Sequence, residues 1–204
     1  MEYWHELQTK KSLEILLSLK GKFKFTLIGG WGVYLWTHSQ KSKDIDIIID
    51  FETLALLKKK YDVRKNERLK KYEIKIDEID VDVYVGYYSS LVIPVEHVKN
   101  TKIEGFDVAT PEYLLVLKQG AEIERGESEK GEKDRIDIMS MLLKCDIDVK
   151  EYFSILKTEK KTEIYKRLIS IIKNFKEPSH FGINLRKFSI EKRGIIEKLK
   201  KTVL

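Results

Sequence analysis

The sequence predicts an α+β fold, with a small mixed sheet flanked by helices and a helical C-terminal region behind it. Two observations carry this expectation. The short extended segments KFTLI, KDIDIIID, YEIKI and IDVDVYV all fall in the first half, with helical spacing between them. Beyond Val149 only helical patterns remain, broken near Pro178 and Gly182. The expected division is an α+β core over 1–108 and a helical region over 109–204.

The elements follow in order. Over residues 6–20, Leu7, Leu13, Ile15, Leu16 and Leu19 recur at near-helical spacing, and Gly21 closes the helix. KFTLIGG then reads as a short strand running into a glycine pair, and WGVYLWTHS winds as a helix. KDIDIIID, from Lys43 to Asp50, is rich in isoleucine and predicts a strand buried on both faces. FETLALLKKK, from Phe51 to Lys60, has the spacing of a short helix. YEIKI (72–76) and IDVDVYV (79–85) alternate around Asp77 and Glu78, which predicts a hairpin. Residues 106–109 form a short extended piece, and Thr110-Pro111-Glu112 starts a helix that runs to about Arg125, with Thr as N-cap and Pro in the first turn. GESEKGE separates that helix from another over KDRIDIMSMLLK.

Composition sets outer bounds. A chain of 204 residues with 42% hydrophobic residues supports one good core, or a core with a smaller helical appendage. A single cysteine, Cys145, excludes an internal disulfide and a thiolate metal cluster, and reads as a small buried hydrophobe. No apolar run approaches a membrane span and the N-terminus has no signal-peptide core, so a cytoplasmic location is expected. The formal charge of +6 is concentrated late: Ile147–Leu204 holds 15 Lys plus Arg against 7 Asp plus Glu. Such an excess attracts polyanions by counterion release, or simply solvates helix faces.

The chemistry is concentrated in IGGWGVYLWTHSQKSKDIDIIID. Gly29 and Gly30 allow a sharp turn, so that amides and the positive end of the following helix face phosphate oxygens. Asp44 and Asp46, two apart on an extended segment, project from one face toward the same cation. Their hard oxygens suit Mg²⁺ (or Mn²⁺), which completes its shell with water and triphosphate oxygens. A third carboxylate, for a metal or for the proton of an attacking hydroxyl, comes from the hairpin strand. Asp82 is favoured, with Asp80 as the fallback.

This order, G-G, then S-x-D-x-D with Ser42, Asp44 and Asp46, then h-D-h with Asp82, resembles the nucleotidyltransferase superfamily that includes DNA polymerase beta, aminoglycoside nucleotidyltransferases and minimal nucleotidyltransferases. The resemblance implies that a nucleoside monophosphate is transferred from an NTP, ATP among the possible donors, with loss of pyrophosphate. In that reading Asp44, Asp46 and Asp82 are both catalytic and metal-binding, and Gly29, Gly30 and Ser42 bind the nucleotide. Lys118 and Arg125 in KQGAEIER, with Lys133-Asp134, look like the third and fourth motifs of abortive-infection toxin nucleotidyltransferases of the AbiEii kind. That implies a toxin-antitoxin setting, and the resemblance spans Lys24–Lys144. Lys118 and Arg125 lie seven apart, about two helical turns, and so share a stripe that can offer cations to a triphosphate. Asp134 or Asp137 would orient that stripe or the acceptor. The chain departs from the family where Gly29-Gly30 replaces the frequent Gly-Ser, and where Gln40 stands in place of an Arg.

The acceptor hydroxyl is open among RNA, protein and a small molecule, with RNA modestly favoured by the basic C-terminal helices. Two readings of other classes remain: a non-catalytic nucleotide- or partner-binding component, and a nucleic-acid-binding module. His5, His38, His97 and His180 are scattered without ligand spacing. Tyr87, Tyr88 and Ser89 follow the hairpin, where stacking on a base competes with an ordinary place in the core or rim.

Overall fold

The computed structural model describes residues 2–89 and 91–203, with side chains described from residue 6 to 202, and divides into two compact units, 1–110 and 111–204. In the first, α1 (Glu2–Lys20) leads into β1 (Thr26–Ile28), α2 (Gly29–Thr37), β2 (Ile45–Ile49), α3 (Phe51–Lys60), β3 (Val63–Asn66), β4 (Lys71–Ile76), β5 (Ile79–Val85), β6 (Asn100–Ile103) and β7 (Phe106–Ala109). Among the described residues the strands form one seven-stranded sheet in the order β3-β4-β5-β2-β1-β7-β6. The sheet is mixed: β2 runs parallel to β5 and β1 parallel to β7, and the other neighbours are antiparallel. The predicted α+β class, with a mixed sheet, is what the chain adopts.

Period-two patterning decides which side of the sheet faces the core. On β2, Ile45, Ile47 and Ile49 are buried while Asp46 and Ile48 are half-buried; on β5, Ile79, Val81, Val83 and Val85 are buried. The isoleucine run therefore buries one face, not the expected two, and the second face is where the carboxylates stand. Leu16 and Leu19 of α1 and Leu54 and Leu57 of α3 complete this core. Each such side chain contributes about 1.5–3 kcal/mol on burial.

Local chemistry fixes the connections. Asp50 caps α3 by accepting from the Thr53 amide at 2.7 Å. The predicted hairpin forms with Asp77 and Glu78 both at positive φ, 46° and 72°, as a two-residue type I′ turn requires. Two strands carry no alternating apolar signal, β3 and β6, and both lie at the sheet's outer edges, where exposed polar residues are expected.

The second unit contains α4 (Pro111–Arg125), α5 (Glu129–Lys144), α6 (Val149–Thr158), α7 (Ile164–Asn174) and α8 (Leu185–Val203), with a short 3₁₀ turn at Pro178–Phe181. α4 packs against α5, α6 and α7, and α8 against α6 and α7. α5 starts earlier than the apolar periodicity suggests, because Ser128 caps it by accepting from the Gly131 amide at 3.2 Å. Its first turn, Glu129 to Glu132, is too polar to show the pattern. Gly131 is required there: a Cβ would lie 2.0 Å from the Gly126 carbonyl oxygen. Among the described residues no helix is long and apolar enough to cross a membrane.

Candidate active site

The glycine turn and the first carboxylates meet where β1 pairs with β2. Ile28 lies opposite Asp46 in the antiparallel register, and α2 begins at the next residue. Gly29 has φ +62°, and a Cβ built on it would fall 2.0 Å from Asp46 Oδ2 and 2.6 Å from its Cγ. The residue is thus glycine for two reasons, the left-handed backbone and the carboxylate occupying the space of a side chain.

α2 is held in place by its aromatic residues. Trp31, fully buried, donates to Ser12 Oγ of α1 at 2.8 Å, and Trp36 donates to the Ala109 carbonyl at 3.0 Å. Gly30 is buried in the first turn, Ile28 offers no side-chain cap, and that turn contains no acidic residue. The positive end of the helix dipole therefore opens beside Asp46.

β2 and β5 run parallel with Asp46 directly beside Asp82, so these two side chains leave the same face of adjacent strands, about 4.8 Å apart at the backbone. Asp44 is exposed just before β2, and Ser42 is buried two residues earlier. Asp80 is exposed, lies across from Lys75, and falls beyond the first β2–β5 pair, Ile45 with Val81. The register therefore favours Asp82 over Asp80 as the carboxylate next to the Asp44-Asp46 pair.

Two neighbours of Asp82 escaped the sequence reading. Lys71 Nζ lies 2.6 Å from Asp82 Oδ2 and 3.2 Å from Glu73 Oε1, and Glu73 stands opposite Asp82 in the β4–β5 register. Glu73 also accepts from Asn66 Nδ2 at 2.9 Å. The hairpin turn at Asp77-Glu78 carries the signal that finds Glu73, since counting outward pairs 76 with 79 and hence 73 with 82. Burial raises the Asp82 carboxyl above the usual carboxylate range; Lys71 opposes this, while Glu73 and Asp44 add to it. Glu73 is lowered, chiefly by the Asn66 hydrogen bond and then by Lys71. Among the described residues no three of His, Cys, Asp and Glu gather into a metal cage. At Asp82, a lysine ammonium is the cation in contact.

The remaining predicted residues fall as follows. Lys118 of α4 is buried in the second unit, 2.9 Å from Asp134 Oδ1 and 2.7 Å from Asp137 Oδ2. Arg125 Nη1 reaches Asp134 Oδ2 at 2.7 Å. Burial alone would lower the Lys118 ammonium, but Asp137 and Asp134 override it and hold it above the usual lysine range. Nearby, the fully buried Glu122 accepts from Arg135 at 3.0 Å and from Arg167 Nε at 2.8 Å. Ser89 Oγ accepts from the Val85 amide at 2.8 Å, and Tyr88 packs on Tyr72, so both serve the end of the sheet, while the Tyr87 ring is exposed. Cys145 is half-buried at the end of α5, and burial pushes its thiol up to about 11. His38, His97 and His180 occupy separate turns, and the His5 side chain lies outside the described residues.

Among solved structures, a candidate nucleotidyltransferase from H. pylori matches over 96% of this chain and 96% of its own, at 17% identity and a TM-score of 0.52. The chain has the nucleotidyltransferase fold. An antigenic nucleotidyltransferase-like protein from Paracoccidioides brasiliensis matches at 16% identity over 79% of this chain and 92% of that one, with a TM-score of 0.42. The Megavirus polyadenylate synthase matches at 14% identity over 78% of this chain and 38% of that one, with a TM-score of 0.44. The fold assignment rests on the H. pylori structure. No protein-family model and no curated protein matches the sequence. Within the nucleotidyltransferase fold, the Gly29 turn meets Asp46, Asp46 and Asp82 share one face of the central strands, and Asp44 stands just before β2.

Proposed function

We propose that the chain transfers a nucleoside monophosphate from an NTP to an acceptor hydroxyl. The observation that supports this best is the contact of the Gly29 turn with Asp46, which itself lies beside Asp82 in the parallel register. The donor set fits a divalent cation: carboxylate oxygens only, on an open strand face, suit Mg²⁺ or Mn²⁺ with most of the shell left to water and triphosphate. Asp44 and Asp46 would hold the ion. When bound, it neutralises triphosphate charge and polarises the phosphorus under attack.

The protein's own groups do the rest. The α2 N-terminus at Gly29-Gly30 faces phosphate oxygens with its dipole and amides. Asp82 takes the proton of the acceptor hydroxyl as its oxygen attacks the α-phosphorus and the bond to the β-phosphate breaks, releasing pyrophosphate. An anionic Asp82 held by Lys71 is oriented for that role. RNA is the favoured acceptor, on the positive excess of Ile147–Leu204, and the motif resemblance supports a cytoplasmic toxin-antitoxin setting.

A non-catalytic, nucleotide-binding role has one observation in its favour, the ammonium already seated on Asp82. The test is incubation with each α-labelled NTP, Mg²⁺ and a cell extract containing RNA and protein, beside the Asp44→Asn/Asp46→Asn double variant. Label passing to RNA or protein with the wild-type pair alone supports transfer and names the acceptor. NTP binding without label transfer to those acceptors or to added small molecules favours the binding role.

A further inference from the structure

The sheet register aligns three carboxylates in a row across β2, β5 and β4: Asp46 beside Asp82, and Asp82 beside Glu73. Adjacent strands stand about 4.8 Å apart, a spacing at which bare carboxylates repel and together attract a cation. Asp44, just before β2, adds a fourth charge close enough to act on Asp82. The two halves of the row are treated differently. The Asp44-Asp46 half adjoins the glycine turn and the positive end of α2. The Asp82-Glu73 half is bridged by Lys71, whose side chain is only 12% exposed and whose Nζ lies within 3.2 Å of both carboxylates. The Lys71 Nζ, 2.6 Å from Asp82 Oδ2, takes up a lone pair of that oxygen and puts a positive charge where a second divalent ion would approach it.

We infer that Lys71 stands in for a second divalent cation: the site takes one such ion, on Asp44 and Asp46, while Lys71 neutralises Asp82 and Glu73 from within the fold. Lys71 is thus a positioning residue, holding Asp82 and Glu73 in place while its charge repels an ion from them. The inference rests on the nucleotidyl-transfer reading of the same site, but it concerns how many ions are held rather than whether transfer occurs. A lysine serving only to join β4 to β5 would leave ion binding unchanged on removal.

The experiment counts Mn²⁺ bound per full-length chain, from the electron paramagnetic resonance signal of free Mn²⁺, in the presence of a non-transferable NTP analogue. Wild type is expected to hold one ion, and Lys71→Gln two, a twofold rise. Lys71→Arg, which keeps the charge, returns to one, and so does Lys71→Gln combined with Asp82→Asn, which removes the vacated ligand. Circular dichroism reports folding of each variant. If Lys71→Gln does not fold, the wild-type and Lys71→Arg counts decide. Two ions in wild type, or one ion in a folded Lys71→Gln, overturn the inference while leaving the transfer reading standing. Binding of no ion by any variant overturns both.

Discussion

Replacing Gly29 with alanine puts a methyl group where the Asp46 carboxylate now lies. The backbone at this position has φ +62°, a region costing a residue with a Cβ about 1–2 kcal/mol. The new carbon would start 2.0 Å from Asp46 Oδ2 and 2.7 Å from Asp46 Cβ. Ordinary contact lies near about 3.5 Å, so the carboxylate has to retreat by about 1.5 Å or the β1–α2 turn has to open. A displacement of about 1 Å at reacting groups costs about 10²-fold in rate. Gly29→Ala is therefore expected to lower unfolding free energy by about 1–3 kcal/mol and label transfer by at least about 10²-fold. Urea unfolding measures the first and the labelled-NTP assay the second. Because the damage acts through Asp46, the same substitution in an Asp46→Asn background should reduce transfer little further. An alanine variant with unchanged stability and unchanged transfer refutes the reasoning, since neither the strain nor the contact would then be real.

Other outcomes follow from the same geometry. Lys118→Met removes the ammonium that pairs with both Asp134 and Asp137 in the second unit, and should cost about 3–5 kcal/mol in urea unfolding; a loss under about 1 kcal/mol contradicts the burial of that cluster. Because the Lys118 ammonium is raised, its contribution is fully present below about pH 10, the unfolded lysine value, and is lost only as pH rises through the higher folded value. Asp50→Ala removes the α3 cap, at about 1 kcal/mol. The Thr53 amide lowers the Asp50 carboxyl, so the cap contributes fully above about pH 4 and fades as pH falls through the lower folded value; the variant's acid unfolding profile should be flatter there. Asp82→Asn should reduce transfer by about 10²–10⁴-fold, whereas Asp80→Asn, exposed and across from Lys75, should stay within about twofold; equal effects would contradict the register argument.

Much of this fold is visible in the residues themselves. IDVDVYV alternates because β5 has a core face and an open one, and FETLALLKKK carries its buried stripe at Leu54 and Leu57 directly after the cap, Asp50. The Thr110-Pro111 start announces α4 because a proline in the first turn is a local signal. Features that depend on partners are harder to read. β3 and β6 are strands because a neighbour supplies hydrogen bonds, and as edges they need no apolar rhythm. The expectation that Ile47, Ile48 and Ile49 belong to a strand buried on both faces came from hydrophobicity alone, whereas Ile48 shares its face with Asp46. Asp46, Asp82 and the glycine turn could be named from their spacing together with the family resemblance, yet their adjacency is a matter of register between strands far apart in the chain. Lys71 and Glu73 were hidden in a Lys- and Glu-rich sequence, where one more ion pair has no local signature until the hairpin is paired.

The central claim, that Asp44 and Asp46 hold the metal-bound nucleotide, is tested most directly by anomalous diffraction from crystals soaked with Mn²⁺ and a non-transferable NTP analogue. The account predicts an Mn²⁺ peak within about 2.5 Å of carboxylate oxygens of Asp44 and Asp46, with the triphosphate at the start of α2. An ion and nucleotide bound elsewhere, with Asp44 and Asp46 making no contact to either, would contradict it.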